Sequence, residues 1–430
     1  MRTPSKSPSP VQTKESNHIT QVRRYKVITP LFGGGVDPAK ADPVTVVRAT
    51  EIRGQLRFWW RATRGGQFGG DLNKMREAEA KIWGSAASDK SGGPSQVQIH
   101  VHLLNRGKHF QAHDRKGKPV NNPGDPKSTV SYAAFPLRDV PNASLVENIE
   151  FELTVRYPQN LQDISIADEV EAALWAWETF GGVGARTRRG FGALQLVSIQ
   201  ENAQIRAVDT PTCHTVDQWI DAKVSKHLAG SQWPNGVPHF VDFKTTSSSF
   251  SSAIDAWEYL IKKLKSFRQD PQGRKPGSAE SDNRPGRSYW PEPEAIRHLT
   301  GKRDPKHAPL DWQVHKFPRA VFGLPIIFHF KGNGEPDDTT LKGASYERWA
   351  SPLILRPLAC KNNQSVGLAV LLEPTPVFVE THKTQSPGEI ILSGAPGEPP
   401  VQIQLTRNEA KLVRPLSGNP DVLQAFLDTL

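Results

Sequence analysis

The twelve residues Gly181–Gly192 hold five glycines, three arginines and one phenylalanine (Gly-Gly-Val-Gly-Ala-Arg-Thr-Arg-Arg-Gly-Phe-Gly). Glycines let a backbone turn tightly and bring its amides close to a ligand, with Gly184 at the centre of the approach. Arg186, Arg188 and Arg189 supply forked, permanently charged donors suited to phosphate. Phe191 offers a ring face on which a base can stack. Pyrophosphate-binding glycine loops run from strand to helix. This loop lies between a helical pattern and a strand pattern, and no Lys-Ser or Lys-Thr follows its last glycine. The chemistry that fits is a site tracking a polynucleotide backbone. The alternative is a glycine-rich connection whose arginines face solvent.

A second cationic array precedes it. Arg53, Arg57, Arg61 and Arg64 fall at i, i+4, i+8 and i+11 of a helical pattern, an arc of roughly 80° on one face. Trp60 projects onto the edge of that arc, and Ile52, Leu56, Trp59 and Thr63 form the adjacent apolar face. Stacked cations repel one another, and along the chain only Glu51 is near enough to offset them. A polyanion lying on the face would remove the penalty, with Trp60 adding a stacking surface. A solvated basic face or a protein contact is the alternative. Further basic and aromatic positions, Lys316 and Arg319 beside Phe317, and Arg348 beside Trp349, are weak signals taken singly.

The elements that must position these residues follow from the rest of the chain. Its 430 residues have room for two domains or three, and its net charge is +10. Residues 1 to 70 carry twelve Lys/Arg against four Asp/Glu, a concentration that attracts phosphate backbones. The two cysteines, Cys213 and Cys360, lack metal-type spacing, which argues against a zinc site or a disulfide framework. Met1–Thr20 has no apolar h-region, and no apolar run approaches a membrane span. The expectation is a cytoplasmic protein with no cofactor, no metal site and no membrane partner.

Alternation predicts strands over Val22–Ile28, Val97–Leu103, Ile149–Tyr157 and Gly192–Ile199. Helical spacing predicts helices over Glu51–Arg64, Lys74–Trp83 and Ala167–Phe180. The order β, α, β, β, α, β is the ferredoxin-like unit, shared with RNA-recognition domains. The expected organisation is α+β, with two tandem ferredoxin-like (RRM-like) domains. Residues 1–21 read as a flexible tail, and 22–205 as the first domain with a long mobile insertion at 105–147. Residues 206–236 read as a linker and 237–430 as the second domain. In that second half, strands are expected at Val237–Phe243, Leu324–Phe330, Pro352–Leu358, Val366–Leu372 and Val377–Glu380. Helices are expected at Ala253–Phe267 and Glu292–Leu299, with a disordered stretch at Arg268–Ser288.

Four motifs together carry a resemblance: Ile28–Gly35 (Ile-Thr-Pro-Leu-Phe-Gly-Gly-Gly), Glu51–Arg61, Ala80–Ser85 and the Gly181–Gly192 loop. With Phe317–Pro325 and Arg348–Leu353, the chain resembles the RAMP-superfamily proteins of CRISPR systems, in particular the first RAMP subunit of the type III-B (Cmr) effector complex. The likeness runs from about Val22 to Leu372; the insertion and the tail after Glu380 match no motif. It implies a subunit at the head of an antiviral ribonucleoprotein, holding the guide (CRISPR) RNA near its 3′ end and the single-stranded target RNA. Other Cmr-complex RAMP subunits are the implied partners, and target cutting belongs to one of them. Carried onto this sequence, RNA contact falls on Gly33, Gly34, Gly35, Arg53, Arg57, Arg61, Arg186, Arg188 and Arg189. Guide pairing would supply sequence specificity, leaving backbone and shape to the protein. Two other readings stay open: a metal-independent endoribonuclease that processes guide RNA, and a protein-interaction scaffold. For cleavage, no catalytic residue is assigned; Asp37 and the strand histidines His100 and His102 are the groups to test, since no histidine is expected beside a second acid–base group near the basic motifs.

Overall fold

The computed structural model describes residues 17–86, 93–269, 289–305, 314–330, 332–345, 348–373 and 389–430. The first half forms strand β1 (His18–Val27), helix α1 (Ala49–Arg64), helix α2 (Leu72–Trp83), strands β2 (Gln98–His109) and β3 (Val146–Pro158), helix α3 (Ile166–Phe180) and strand β4 (Leu194–Glu201). The sheet order is β2-β3-β1-β4, antiparallel throughout, with a short edge strand Gln204–Arg206 beside β4. First and second strands separated by an inserted third define the ferredoxin-like arrangement. Alternation explains the sheet: Ile149, Phe151, Leu153, Val155 and Tyr157 of β3 are all fully buried. Tyr25 pairs in register with Phe151 on one side and Leu196 on the other. In α3, Ser165 caps the first turn by accepting from the Asp168 amide, while Val170, Leu174 and Trp177 pack inward. β1 starts at His18, inside the stretch expected to be tail; residues 1–16 lie outside the described residues.

The insertion expected to be mobile has ordered structure. β2 continues to His109, a small hairpin pairs Ala112–His113 with Pro119–Val120, and Phe135–Leu137 forms a single 3-10 turn. Ala133, Ala134 and Leu137 are buried in a cluster with Phe32, Phe191, Trp257 and Ile261. Small apolar residues spaced by polar ones gave no period to read, yet they anchor this segment to both halves.

The expected linker contains helix α4 (Val216–His227), whose Val216 and Ile220 are buried. Beyond it come β5 (His239–Phe250), α5 (Ala253–Gln269), α6 (Glu292–Thr300), β6 (Ile326–Phe328), β7 (Thr339–Gly343), β8 (Leu353–Ala359), β9 (Ser365–Glu373) and β10 (Ile390–Ser393). β5, β9 and β8 form an antiparallel sheet in that order. It repeats the first, third and second strands of the ferredoxin-like unit, with α5 packed on it through Trp257, Leu260 and Leu264. A fourth strand is missing from this sheet among the described residues. The strand expected at Leu324–Phe330 belongs to a separate sheet, β6-β7-β10. The strand expected at Val377–Glu380 and most of the stretch expected to be disordered lie outside the described residues.

Arg356 of β8 ties the halves together. Its guanidinium is completely buried and donates to the carbonyls of Glu178 (2.8 Å), Gly181 (2.7 Å), Leu194 (2.8 Å) and Pro357 (3.0 Å). Burial brings its pKa down to about 9. Phe240 of β5 stacks on Phe180 at 5.4 Å, so the second sheet sits directly beside α3.

Candidate nucleic-acid interface

The glycine loop is laced into its own protein. Ala185 N donates to Phe32 O (2.8 Å), Gly192 N to Pro30 O (2.9 Å), and Thr29 Oγ1 to Gly190 O (2.6 Å). Gly184 has φ +81°, and a Cβ there would lie 2.7 Å from Phe32 O. Gly33 has φ +69°, and a Cβ there would lie 2.7 Å from Ala185 Cβ. The close approach that these glycines permit is therefore between two segments of the chain, in place of the ligand approach expected. Glu51, expected to offset the helix arginines, instead accepts a short hydrogen bond from Gly184 N. Burial raises its pKa against that bond and the charge of Arg48.

The aromatic expectations are corrected too. Phe191 is fully buried edge-on between Phe32 and Trp257. Trp60 is fully buried and donates Nε1–H to Glu169 at 2.6 Å. Neither offers a face to a base. A hydrophobic ring that sequence spacing puts near arginines is more cheaply buried than exposed.

Most of the α1 arginines are already paired. Arg57 and Arg61 share Glu79 of α2 at 2.7 and 2.6 Å, and Arg64 meets Glu169 of α3 at 2.7 Å. Arg53 alone of the four has no ion pair among the described residues. These acids lie 18 to 105 positions away in sequence from their partners, beyond the reach of helical-face reasoning.

Other basic positions converge. A cleft of about 980 Å³ opens between the halves, and Arg186, Arg188, Arg189, Arg319 and Arg348 line it together. Three cations not foreseen join them: Arg138 from the insertion, and Lys265 and Arg268 from the end of α5. Among the described residues, no carboxylate lines it. Of these eight cations only Arg319 is ion-paired among the described residues, with Glu292 at 3.1 Å. Arg188 donates to Ser351 O and Arg189 to Leu353 O (2.9 Å), which fixes the loop against β8. Burial and the charges of Arg268 and Arg186 bring Arg189 down to about 9, while burial lowers Arg188. Tyr132, Phe135 and Trp349 supply aromatic lining, and Phe135 is 58% exposed. The cleft thus concentrates positive charge that, Arg319 apart, has no ion pair among the described residues, with ring faces beside it, a combination that attracts a phosphate backbone.

Lys316 lies outside this lining, paired with Glu409 at 2.8 Å. Gly33, Gly34, Gly35 and the α1 arginines also lie outside it. Lys265 and Arg268, three apart on a helix, were legible as one basic face; Arg138 carried no signal. Asp37 is half-exposed beside Lys40 at 3.5 Å, and His100 points outward on β2, both away from the cleft. One pairing was not expected: on the cleft rim, His329 Nδ1 and Asp338 lie 2.8 Å apart. Among the described residues, no group of three or more His, Cys, Asp or Glu could hold a metal ion, and no helix is long and apolar enough to cross a membrane.

Residues 24–195, the ferredoxin-like half with its insertion, match the family profile described as the RAMP superfamily. The first half of the chain therefore carries the sequence pattern of that superfamily. The chain is similar to two proteins of Pyrococcus furiosus. It is 24% identical to CRISPR system Cmr subunit Cmr1-1 over 237 residues, 52% of this chain and 64% of that one. It is 28% identical to CRISPR system Cmr subunit Cmr1-2 over 186 residues, 41% of this chain and 94% of that one. The matched region therefore spans a little under two thirds of the first relative. Among solved structures, the apo form of Cmr1 from Pyrococcus furiosus is similar with a TM-score of 0.46 at 14% identity, covering 92% of this chain and 96% of that one. A chain of the type III-B Cmr-beta complex bound to cognate target RNA also has a TM-score of 0.46, at 12% identity, covering 95% and 100%.

Proposed function

We propose that this protein is a non-catalytic, RNA-binding RAMP-superfamily subunit of a cytoplasmic type III-B CRISPR ribonucleoprotein. It holds guide RNA near its 3′ end and single-stranded target RNA, and it docks beside other RAMP subunits of the Cmr complex in antiviral defence. The observation that carries this reading is the cleft lined, among the described residues, by eight cations and no carboxylate. Such a surface binds phosphate backbones without regard to sequence, which suits a complex whose specificity comes from guide pairing. The names of the Cmr relatives support the choice of complex. The test is binding of single-stranded RNA by the purified chain, free of partner subunits. Direct binding that weakens steeply with salt supports the reading. Association with protein subunits alone, unchanged by ribonuclease, would favour the scaffold.

One observation favours the endoribonuclease. His329, oriented by Asp338, stands on the rim of the cleft, and an imidazole with a carboxylate behind it is the usual proton acceptor for a hydroxyl nucleophile. Site-specific RNA fragments made by the purified chain and abolished in His329→Ala would establish that activity. An unfragmented RNA supports the non-catalytic assignment.

A further inference from the structure

Inside the cleft, three guanidinium groups converge from two separate segments. Arg186 and Arg189 come from the glycine loop, and Arg268 from the last turn of α5. Their charges act on one another: Arg268 adds to the burial that lowers Arg186, and both add to the burial that lowers Arg189. Two of their donors are left over. Nε of Arg186 and Nε of Arg268 are buried with no hydrogen-bond partner. A buried donor without an acceptor carries its full desolvation cost, and neighbouring like charges add to it.

Both side chains start from fixed positions. Arg186 has a left-handed backbone with φ +56°, in a loop whose next residues are tied to β8. The Arg268 guanidinium lies over the rings of Phe322 (5.4 Å) and Tyr132 (6.0 Å), and its carbonyl accepts from Arg319 Nη1 at 3.0 Å. Two sets of N–H donors, held by separate elements with no acid lining the space among the described residues, are the features of a built anion site.

We propose that Arg186, Arg189 and Arg268, walled by Tyr132, form a fixed seat for a single phosphate group. Its charge offsets the three cations, and its oxygens accept from the guanidinium N–H groups that face the cleft. Only the source of the phosphate rests on the RNA-binding reading: an internal phosphodiester and a terminal phosphomonoester present the same oxygens. One anchored phosphate would set the register of a strand that the rest of the cleft holds loosely.

The test is thermal unfolding of the full chain in inorganic phosphate against chloride of equal ionic strength. Phosphate should raise the melting temperature saturably, as a ligand bound only to the folded state does. Arg268→Gln should abolish most of that rise. In chloride alone it should melt at or above the wild-type temperature, because a repelling cation is gone. Arg186→Asn, which tolerates the left-handed backbone, should lose the phosphate response as well. No saturable rise, or a rise undiminished in both variants, overturns the seat.

RNA arms then distinguish the sources. Oligonucleotides with 5′-phosphate, 3′-phosphate or hydroxyl ends are compared. A preference of about tenfold for one phosphorylated end, lost in Arg268→Gln, assigns a terminal monoester; a tenfold change corresponds to ~1.4 kcal/mol. Equal affinities, all lowered alike in Arg268→Gln, assign a diester. If phosphate stabilises through Arg268 but no RNA binds, the seat stands and the RNA reading falls. RNA binding without a phosphate response removes the seat alone.

Discussion

The arginines of α1 and those of the cleft are equally basic in sequence and opposite in situation. On α1, Arg57 and Arg61 meet Glu79, and Arg64 meets Glu169, so three of the four charges are spent inside the protein. Among the described residues of the cleft, eight cations share a space lined by no carboxylate, and two guanidinium donors are buried without a partner. The difference teaches that a row of cations on a helix face measures charge, and that acids arriving from other elements decide how much of it is available. The α1 arginines hold α1 against α2 and α3. The cleft arginines, Arg319 excepted, meet no such acid among the described residues, and the proposed RNA contact rests on that.

The most severe way to break this comparison is to remove an acid from the α1 side. Glu169 is 5% exposed and serves Arg64, Trp60 Nε1 and Gln67. Glu169→Ala strands a buried charge and a buried donor, so unfolding in urea should show a loss of about 3–5 kcal/mol. A loss below about 1 kcal/mol would mean that Glu169 only decorates the pair, and that the Arg64 charge is available after all.

Gly184→Val comes next. The added side chain would meet Phe32 O and Leu31 at a backbone angle that β-branched residues avoid. Stability should fall by at least ~1–3 kcal/mol from backbone strain alone, while the RNA affinity of the molecules that remain folded stays within about twofold. Lost binding with unchanged stability would restore the loop as a ligand-approach device.

A pH response tests the α1 side as well. His227 stacks on Trp175 at 5.0 Å, and burial, with Lys226, Lys223 and Arg64 adding charge, brings its pKa down to about 4. A histidine whose folded pKa lies below its unfolded value near 6.5 stabilises the neutral form. Its contribution is fully present above about 6.5 and is lost as the pH falls toward about 4. His227→Phe should flatten that part of the stability–pH curve. An unchanged curve would place the acid sensitivity elsewhere.

Much of the first half was legible because its signals are periodic. The alternation of Ile149, Phe151, Leu153, Val155 and Tyr157 and the spacing of Val170, Leu174 and Trp177 specify faces, and the β, α, β, β, α, β order specifies a topology. The second half was harder. β8 and β9 are buried on both faces, so their strand signal is continuous and carries no direction, and β6 could not be told from a member of the same sheet. At the site, Arg186, Arg188, Arg189, Arg319 and Arg348 were found by composition. Their neighbours Arg138, Lys265 and Arg268 were not: Arg138 sits alone in its segment, and Lys265 and Arg268 close a helix read for its apolar face. Trp60 and Phe191 were misassigned because the acid and the rings that enclose them come from distant elements.

The measurement that bears most directly on the contrast is the salt dependence of single-stranded RNA affinity in two double variants. Arg138 and Arg348 are exposed on the cleft and unpaired among the described residues, whereas Arg57 and Arg61 are paired on α1. Each cation withdrawn from a phosphate lowers the slope of log affinity against log salt by about 0.7. Arg138→Gln with Arg348→Gln should therefore lower the slope by roughly 1.4, and Arg57→Gln with Arg61→Gln should leave it unchanged. The reverse pattern, a slope lowered by the α1 pair and untouched by the cleft pair, would contradict the account.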